Sequence, residues 1–396
     1  MSWFHQIIAV TTLNLRSIPQ RLAASLVAVI GVAAVVGVFA GVLSMASGFK
    51  KTMVAAGATD TAVMLRAGST GEMASAVSNE QIQIIATAPG VRRDDAGNPM
   101  VSGELYVVVD VAKKSTNESA NVPLRGVQPA AYGIRDNMSI VDGRPFEAGK
   151  NELLVGRSAQ RVFKGLELGS TIPFGVTEWT VVGVFEDDGS VAESELWADV
   201  RVVQSTYRRG NSYQTVRAKL ESPEAIDELR ATLDKDPRID VDVFTELEFY
   251  SQQSEAMTTL ITFVGYPVTI LMAIGAVFGA LNTMYSSISA RGKEIATLRA
   301  LGFRPLAVLV SVIIESGALS LIGGLIGGGL AWLFLNGFTV STLNAASFSQ
   351  VVFDFAVTGE LIRQGLMAAL IIGLIGGLFP AIRAVRIPVA TALREL

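Results

Sequence analysis

Residues 291–303, RGKEIATLRALGF, form a short charged segment between two long apolar runs. The apolar side chains that recur at helical spacing are Ile295, Leu298 and Leu301. The charged side chains among them are Arg291, Lys293, Glu294 and Arg299. This pattern predicts a short amphipathic helix, with one side suited to packing and the other to water or a soluble partner.

The runs on both sides of this segment are long enough to cross a membrane. Residues 257–290 contain no charge, and residues 306–335 contain only Glu315. Residues 22–45 and 365–382 are also free of charge. Because about 20 apolar residues cross roughly 30 Å of hydrocarbon, four transmembrane helices are predicted. A hydrophobic content of 50%, with 17% charged residues and a mean hydropathy of +0.44, is too apolar for an ordinary soluble protein.

The predicted fold is an α-helical membrane protein with four transmembrane helices and a large extracytoplasmic α+β domain between helices 1 and 2. The predicted segments are an interfacial helix (1–20), the first span (21–46), the external domain with its stalks (47–256), the second span (257–290), the charged helix (291–304), the third span (305–335), an outer loop (336–360), the fourth span (361–385) and a tail (386–396). The second run exceeds the bilayer thickness and is expected to project as a stalk. The start of the chain is either a separate interfacial helix or an extension of the first span.

Basic residues in the short flanks predict the orientation. They are Arg16, Arg21, Arg291, Lys293, Arg299, Arg304, Arg383, Arg386 and Arg394. The outer loop 336–360 contains no Lys or Arg. The positive-inside rule therefore places both termini and the charged helix in the cytoplasm. The protein is then a multi-pass component of the bacterial inner (plasma) membrane, with its large domain outside.

The external segment has the composition of a folded acidic module. Residues 46–256 carry 22 Lys and Arg against 31 Asp and Glu, which argues against binding nucleic acid or anionic lipid headgroups. Strands are predicted at 62–66, 105–111, 178–185 and 238–244, and helices at 79–88 and 223–233. Strands and helices of this kind favour an α+β fold.

The residues needed for catalysis are missing from the sequence. There is no Cys, and His5 is the only histidine, so neither a nucleophile–histidine pair nor a Cys/His metal site is predicted. The acidic run Glu186, Asp187 and Asp188 is expected to be a solvated loop. No G-x-x-x-x-G-K-[ST] segment occurs, so we expect no nucleotide cofactor in this chain. The prediction is a protein that is not an enzyme.

The four apolar runs contain one charged residue, Glu315, and several regularly spaced glycines. Glu315 is predicted to be either a polar lock or substrate-path residue, or else a protonated or hydrogen-bonded packing residue. Small residues at a spacing of four predict close helix packing, and they are Gly323, Gly324, Gly327, Gly328, Gly373 and Gly377. Pro267 and Pro380 are expected to kink or end their helices.

The whole arrangement resembles the FtsX/MacB/LolC-type (type VII, mechanotransmission) ABC transporter permeases. The residues that match the family pattern after the second span are Arg291, Lys293, Glu294, Ile295, Leu298, Arg299, Ala300, Leu301 and Gly302. The external segments that follow the order of the family's MacB-like periplasmic core are 123–127, 143–146, 152–159, 168–169 and 181–185. Glu315 before the glycine-rich stretch, and Pro380, Ala381 and Pro388 at the end, also resemble the family.

The resemblance implies a stand-alone permease subunit without a fused ATPase domain. Its implied partners are a cytosolic ABC ATPase that binds ATP and Mg, docked on the 291–303 coupling helix, and a second permease chain in a homodimer or heterodimer. A periplasmic adaptor or outer-membrane component and membrane lipids are further implied contacts. The implied function is export of a substrate such as a lipoprotein, lipid, peptide or drug-like molecule, driven by movement of the external domain.

Other classes of function stay open at this point. A transmembrane signalling or scaffold protein that regulates an external partner, such as a cell-wall hydrolase, would have the same composition. An exporter driven by an ion gradient would need more intramembrane charge than Glu315 alone. A membrane enzyme is disfavoured because the usual catalytic residues are missing. The sequence names neither the substrate nor the class of bacterium.

Overall fold

The computed structural model describes residues 3–175 and 177–386. Apart from Arg386, the predicted tail 386–396 lies outside the described residues, as do Pro388 and Arg394 of the patterns above. The chain divides into two compact units. A helical unit comprises Met1–Ser47, Leu260–Phe338 and Phe355–Leu396, and a sheet unit comprises Gly48–Thr259 and Thr339–Asp354.

The α-helices are numbered in chain order. They are α1 (Trp3–Arg16), α2 (Leu22–Ala55), α3 (Asn79–Thr87), α4 (Ala131–Ile134), α5 (Arg157–Val162), α6 (Val200–Thr206), α7 (Ala225–Leu233), α8 (Glu246–Ala290), α9 (Gly292–Ala300), α10 (Pro305–Leu335) and α11 (Gly359–Arg386). Among the described residues, four helices are long and apolar enough to cross a membrane, namely α2 over Ser25–Ala55, α8, α10 and α11. Each of these helices contains one long apolar run, and Pro267 and Pro380 lie inside α8 and α11 without ending them.

The start of the chain forms a separate helix. Helix α1 ends at Arg16, and a 3-10 turn at Ile18–Arg21 precedes α2. Pro19 lies within this turn, where its fixed backbone suits a helix start but not a helix interior. The alternative of a single extended first helix is therefore wrong. Helix α1 packs along α10, where the Asn14 side-chain amide donates to Ser311 Oγ at 2.8 Å.

Glycines on α10 bring its backbone close to α2. A Cβ atom added at Gly323 or Gly327 would lie closer than 3.0 Å to the carbonyl oxygens of Val29 and Ala33, respectively. Backbone atoms of a neighbouring helix cannot rotate away as side chains can. Both positions therefore need glycine for this approach.

The other predicted glycines differ in how closely they pack. A Cβ at Gly324 would lie 2.8 Å from Ala369 Cβ of α11, whereas one at Gly328 would make an ordinary contact of 3.7 Å. Gly373 and Gly377 of α11 lie against serines of α10. Gly328 is also buried against α11, but its neighbour leaves room for a methyl group, so this contact does not require glycine.

The sheet unit contains most of the strands. In chain order these are β1 (Thr61–Arg66), β2 (Val77–Ser78), β3 (Val101–Ala112), β4 (Ser119–Val127), β5 (Ser139–Gly143), β6 (Glu152–Gly156), β7 (Thr171–Phe174), β8 (Thr177–Glu186), β9 (Leu196–Asp199), β10 (Ser212–Tyr213), β11 (Thr215–Lys219), β12 (Val241–Thr245), β13 (Thr339–Asn344) and β14 (Ser349–Asp354). The four strands and two helices predicted for this region are confirmed within β1, β3, β8, β12, α3 and α7, although β12 begins only at Val241.

A mixed sheet organises this unit. Its order, among the described residues, is β12-β1-β11-β3-β4-β9-β6-β8-β5, with β7 paired to β8. The β4–β9 and β6–β8 pairs are parallel and the others antiparallel. Alternate apolar residues of β3, β4 and β11 form one continuous core with α3, α6 and α7.

The segment predicted as the outer loop 336–360 contains a β-hairpin, β13–β14, and most of it belongs to the sheet unit. The Tyr106 hydroxyl lies 2.6 Å from Ser349 Oγ, and the Val352 backbone N–H donates to Ser194 Oγ at 2.9 Å. Phe353 packs edge-on against Phe49, with ring centroids 5.5 Å apart. The hairpin within this loop carried no local signal in the sequence, because the partners that order its strands lie more than 150 residues earlier in the chain.

Buried charges hold the centre of the sheet unit together. Arg125 of β4 donates to Glu195 at 2.7 Å through Nε and through Nη2, and to Glu72 at 2.7 and 3.0 Å. Its Nη1 also donates to Glu104 at 3.0 Å. Arg217 of β11 pairs with the same Glu104 and with Glu246, the first residue of α8. We call Arg125, Arg217, Glu72, Glu104, Glu195 and Glu246 the buried ion network.

These ion pairs predict that acid destabilises the sheet unit. Burial alone would raise the pKa of Glu72, but the attraction and hydrogen bonds of Arg125 outweigh it and lower that pKa to about 2. The hydrogen bonds from Arg144 lower the pKa of Glu152 to about 2 as well. A lowered folded-state pKa contributes stability above the ordinary value near 4.5, and this contribution is lost as pH falls towards 2. Burial raises the pKa of Asp187, which opposes the trend at that group.

We therefore expect the unfolding temperature of the sheet unit to fall steadily between about pH 5 and pH 2.5. The measurement is thermal unfolding of the purified chain at fixed ionic strength, followed by tryptophan fluorescence. A flat profile over this range would show that these carboxylates have similar pKa values in the folded and unfolded chain.

Candidate functional site

The charged segment between the second and third apolar runs forms α9. Its end is defined by a left-handed glycine, since Gly302 has a φ of +93°. The Phe303 backbone N–H donates to the Leu298 carbonyl at 3.1 Å, and that of Gly302 donates to the Arg299 carbonyl at 3.1 Å. These are the two bonds of a Schellman motif, in which glycine avoids the steric cost of positive φ. Gly302 thus ends the helix and turns the chain towards α10.

One side of α9 is packed inside the helical unit. Ile295 and Ala296 are buried. Ile295 belongs to a buried apolar cluster with residues of α8, α10 and α11, which are Met284, Ile288, Val308, Val312, Ala381 and Ala384. Arg299 Nη1 donates to the Val385 carbonyl of α11 at 2.9 Å. Ile295, from the predicted apolar side, and Arg299, from the predicted polar side, therefore both hold α9 in place.

The structure corrects the predicted apolar side of the segment. Leu301 lies beyond the end of α9 and is 72% exposed. Leu298 is half-buried and lines a small cavity with Ile295 and Val10. Leu301 leaves the packed side because the chain turns at the Schellman motif, which a continuous helical projection of the sequence ignores.

Arg291 also differs from its predicted position on the outer side. Its side chain is 11% exposed and points into the helical unit. Nη2 donates to Asn14 Oδ1 of α1 at 2.6 Å, Nε donates to Glu294 at 2.9 Å, and Nη1 lies 3.6 Å from Glu315 Oε2. Arg291 therefore joins α9 to α1 and α10.

Glu315 lies at the centre of a buried ion-paired group. Its Oε1 accepts a hydrogen bond from Arg21 Nη2 at 3.0 Å, and its side chain is 3% exposed. The carboxylate thus has a cation on each oxygen, from Arg21 and Arg291. Glu315 is therefore a hydrogen-bonded residue of the helix packing, an arrangement that is compatible with a polar lock and with the hydrogen-bonded packing residue of the second interpretation.

The positions of two of these partners could be predicted in part. Arg21 precedes the first apolar run, and Arg291 follows the second, so both were predicted at the cytoplasmic boundary. Their pairing with Glu315 depends on how α2, α8 and α10 pack. Asn14 carried no signal, because an Asn in a polar flank is ordinary.

The outward side of α9 is a small mixed-charge surface. Its exposed residues are Lys293, Glu294, Thr297, Ala300, Leu301 and Gly302. We call these residues the α9 outer surface. Within residues 3–175 and 177–386, no group of three His, Cys, Asp or Glu side chains is placed to hold a metal ion. The arrangement is thus suited to protein contact, with an apolar centre at Leu301 and charges around it.

Two family models match this chain. The MacB-like periplasmic core domain matches residues 24–236, and the FtsX-like permease C-terminal domain matches residues 267–389. The first covers more than half of the chain.

Curated relatives with similar sequences are permeases and fused ATP-binding permeases. The macrolide export ATP-binding/permease protein MacB of Bdellovibrio bacteriovorus is 26% identical over 92% of this chain and 58% of its own length. The ABC transporter permease YknZ of Bacillus subtilis, described as uncharacterized, is 24% identical over 72% of this chain and 74% of its own length. The chain spans about half the length of the first relatives it matches.

Two solved structures each match about half of the chain. The extracellular domain of YknZ superposes with a TM-score of 0.35 at 18% identity, covering 46% of this chain and 99% of that domain. The periplasmic region of MacB from Actinobacillus actinomycetemcomitans superposes with a TM-score of 0.37 at 14% identity, covering 48% of this chain and 91% of that region.

Proposed function

The chain belongs to the family of MacB- and FtsX-like ABC transporter permeases, and on that premise we propose that it is a non-catalytic membrane subunit driven by a separate cytosolic ATPase. The ATPase docks on the α9 outer surface. ATP binding and hydrolysis then move α9, and the long helices α2 and α8 carry this movement to the sheet unit. The output is export of a substrate from the outer leaflet or the periplasm.

This proposal rests on the different environments of the two sides of α9, one buried and one exposed. Ile295 and Ala296 anchor one side among three neighbouring helices, while Lys293, Glu294 and Leu301 are left exposed on the other. A short helix held in this way transmits force, because an outside push cannot displace it without moving its neighbours. A merely solvated loop would need neither the buried anchors nor the hydrogen bond from Arg299 to Val385.

The proposal includes the remaining partners and the topology. Both termini and α9 face the cytoplasm of a bacterial inner membrane, and the sheet unit faces outward. Two permease chains, identical or paralogous, pair in the membrane, and each contributes an α9 to an ATPase dimer. ATP and Mg bind to the ATPase and not to this chain. An adaptor or outer-membrane component contacts the sheet unit, and no nucleic acid is involved.

Charge reversal on the α9 outer surface is expected to release the ATPase. We predict that Lys293→Glu combined with Leu301→Asp weakens association at least tenfold, or about 1.4 kcal/mol, because it removes an exposed cation and the apolar centre together. The measurement is purification of the tagged chain from its native membrane in mild detergent, with mass spectrometry and an ATPase assay of the eluate.

The matched control is Arg363→Glu, which reverses an exposed charge near the start of α11. It is expected to leave the bound ATPase unchanged. A wild-type eluate with no ATPase but with a firmly bound external protein would contradict the proposal and favour a signalling or scaffold protein.

A further inference from the structure

Four side chains from four segments meet in the helical unit. We call Asn14, Arg21, Arg291 and Glu315 the Glu315 cluster. Asn14 comes from α1, Arg21 from the 3-10 turn before α2, Arg291 from the residue preceding α9, and Glu315 from α10. Arg291 lies within hydrogen-bond distance of Asn14 and ion-pair distance of Glu315, and Glu315 accepts a hydrogen bond from Arg21. The cluster therefore links the N-terminal helix, a membrane span and α9 through a single carboxylate.

The contacts account for both oxygens of that carboxylate. Oε1 accepts from Arg21 at 3.0 Å, and Oε2 faces Arg291 at 3.6 Å. The side chains of Glu315, Arg291 and Arg21 are 3%, 11% and 16% exposed, so water screens these charges weakly. Loss of one partner would leave a buried charge uncompensated, which is costly. The pairing therefore fixes the position of the segments that carry the charges.

Arg291 has contacts on both sides of this arrangement. Nε donates to Glu294 at 2.9 Å, and the Glu294 side chain is 65% exposed on the α9 outer surface. Nη2 and Nη1 face Asn14 and Glu315 in the interior. The planar guanidinium with its fixed fork of donors makes these contacts together, whereas a lysine ammonium could not match all three directions. Any displacement of α9 thus acts on Glu315 and Asn14 through one rigid group.

We propose that the Glu315 cluster is the positioning device of α9, with Arg291 as a positioning residue that couples α9 to α1, α2 and α10 and not as a contact of the partner protein. The inference rests on the proposed function for its biological meaning, because α9 is there the docking helix. Breaking the cluster frees α9 from its neighbours while the α10–α11 pair, held by its own glycines, remains packed.

Hydrogen exchange of the full chain in lipid nanodiscs tests the positioning directly and needs no ATPase. In Glu315→Gln and Arg21→Gln, the amides of residues 292–301 are expected to exchange at least tenfold faster than in wild type, with α10 and α11 unchanged. Arg21→Lys keeps the cation and is expected to restore slow exchange. Arg291→Lys keeps the charge but is expected to behave like the glutamine variants.

The matched control is Glu360→Gln, which makes the same chemical change at an exposed i,i+3 pair with Arg363 and is expected to leave α9 exchange unchanged. Unaltered α9 exchange in Glu315→Gln, Arg21→Gln and Arg291→Lys would overturn the inference. So would an equal acceleration across α10 and α11, because it would show loss of the fold and not of α9 positioning. If Glu315→Gln does not insert, Arg291→Lys alone decides the question.

A second readout separates this inference from the proposed function. In the complex with its ATPase, Arg291→Lys is expected to retain the bound ATPase within about threefold, because Arg291 is not on the docking side, but to reduce permease-dependent ATP turnover at least fivefold. Absence of any ATPase from the wild-type eluate would contradict the proposed function and leave the exchange result standing. Loss of the ATPase in Arg291→Lys together with wild-type exchange would instead make Arg291 a docking contact.

Discussion

Replacement of Gly327 by alanine is expected to disrupt assembly of the helical unit. The new Cβ would lie closer than 3.0 Å to the Ala33 carbonyl oxygen and close to two further backbone atoms of α2. Backbone atoms cannot rotate away, so α2 and α10 must separate, and overpacking of this kind costs about 1–3 kcal/mol or more. We expect loss of most folded protein, measured as the monodisperse fraction and unfolding temperature of the detergent-purified chain.

Gly329→Ala provides the matched control two residues further along the same helix. Nothing lies within 4 Å of a Cβ added at Gly329. Since alanine favours helix by about 1 kcal/mol over glycine, this variant is expected to be neutral or slightly more stable. Equal behaviour of the two variants would contradict the close approach of α10 to α2.

Loss of Arg125 is expected to have the largest effect on the sheet unit. Arg125→Met keeps much of the side-chain volume but removes the cation that compensates Glu72 and Glu195, both of which are buried. Breaking a buried ion pair on one side costs about 3–5 kcal/mol, because the remaining charges have no partner. The measurement is chemical unfolding of the full chain, followed by fluorescence of the buried Trp179 and Trp197.

The control for this variant is Arg161→Met, which makes the same change at an exposed residue of α5. Its effect is expected to stay within about 0.5 kcal/mol. The defect of Arg125→Met should also become smaller in acid, since protonation of Glu72 removes part of the uncompensated charge. A small effect that does not depend on pH would contradict the buried ion network.

The elements that depend on local chemistry could be predicted from the amino-acid sequence. Apolar runs long enough to span a membrane predicted α2, α8, α10 and α11. Such a run forms a helix whatever its neighbours are, because a chain in hydrocarbon must satisfy its own backbone hydrogen bonds. Alternating apolar residues likewise predicted the strands of the external domain, and helical spacing predicted α9. These patterns act over a few neighbouring residues, so they can be read without a partner.

Contacts between residues that are distant in the sequence could not be predicted and are seen only in the folded chain. Arg291 was placed on the outer side by its charge, but Glu315 and Asn14 draw it inward, and both come from other helices. The hairpin β13–β14 within the outer loop was not predicted, because the residues that order it, Tyr106 and Ser194, lie far earlier in the chain. Pairing of buried charges and strand edges depends on the three-dimensional arrangement of whole elements, and no local pattern in the sequence specifies it.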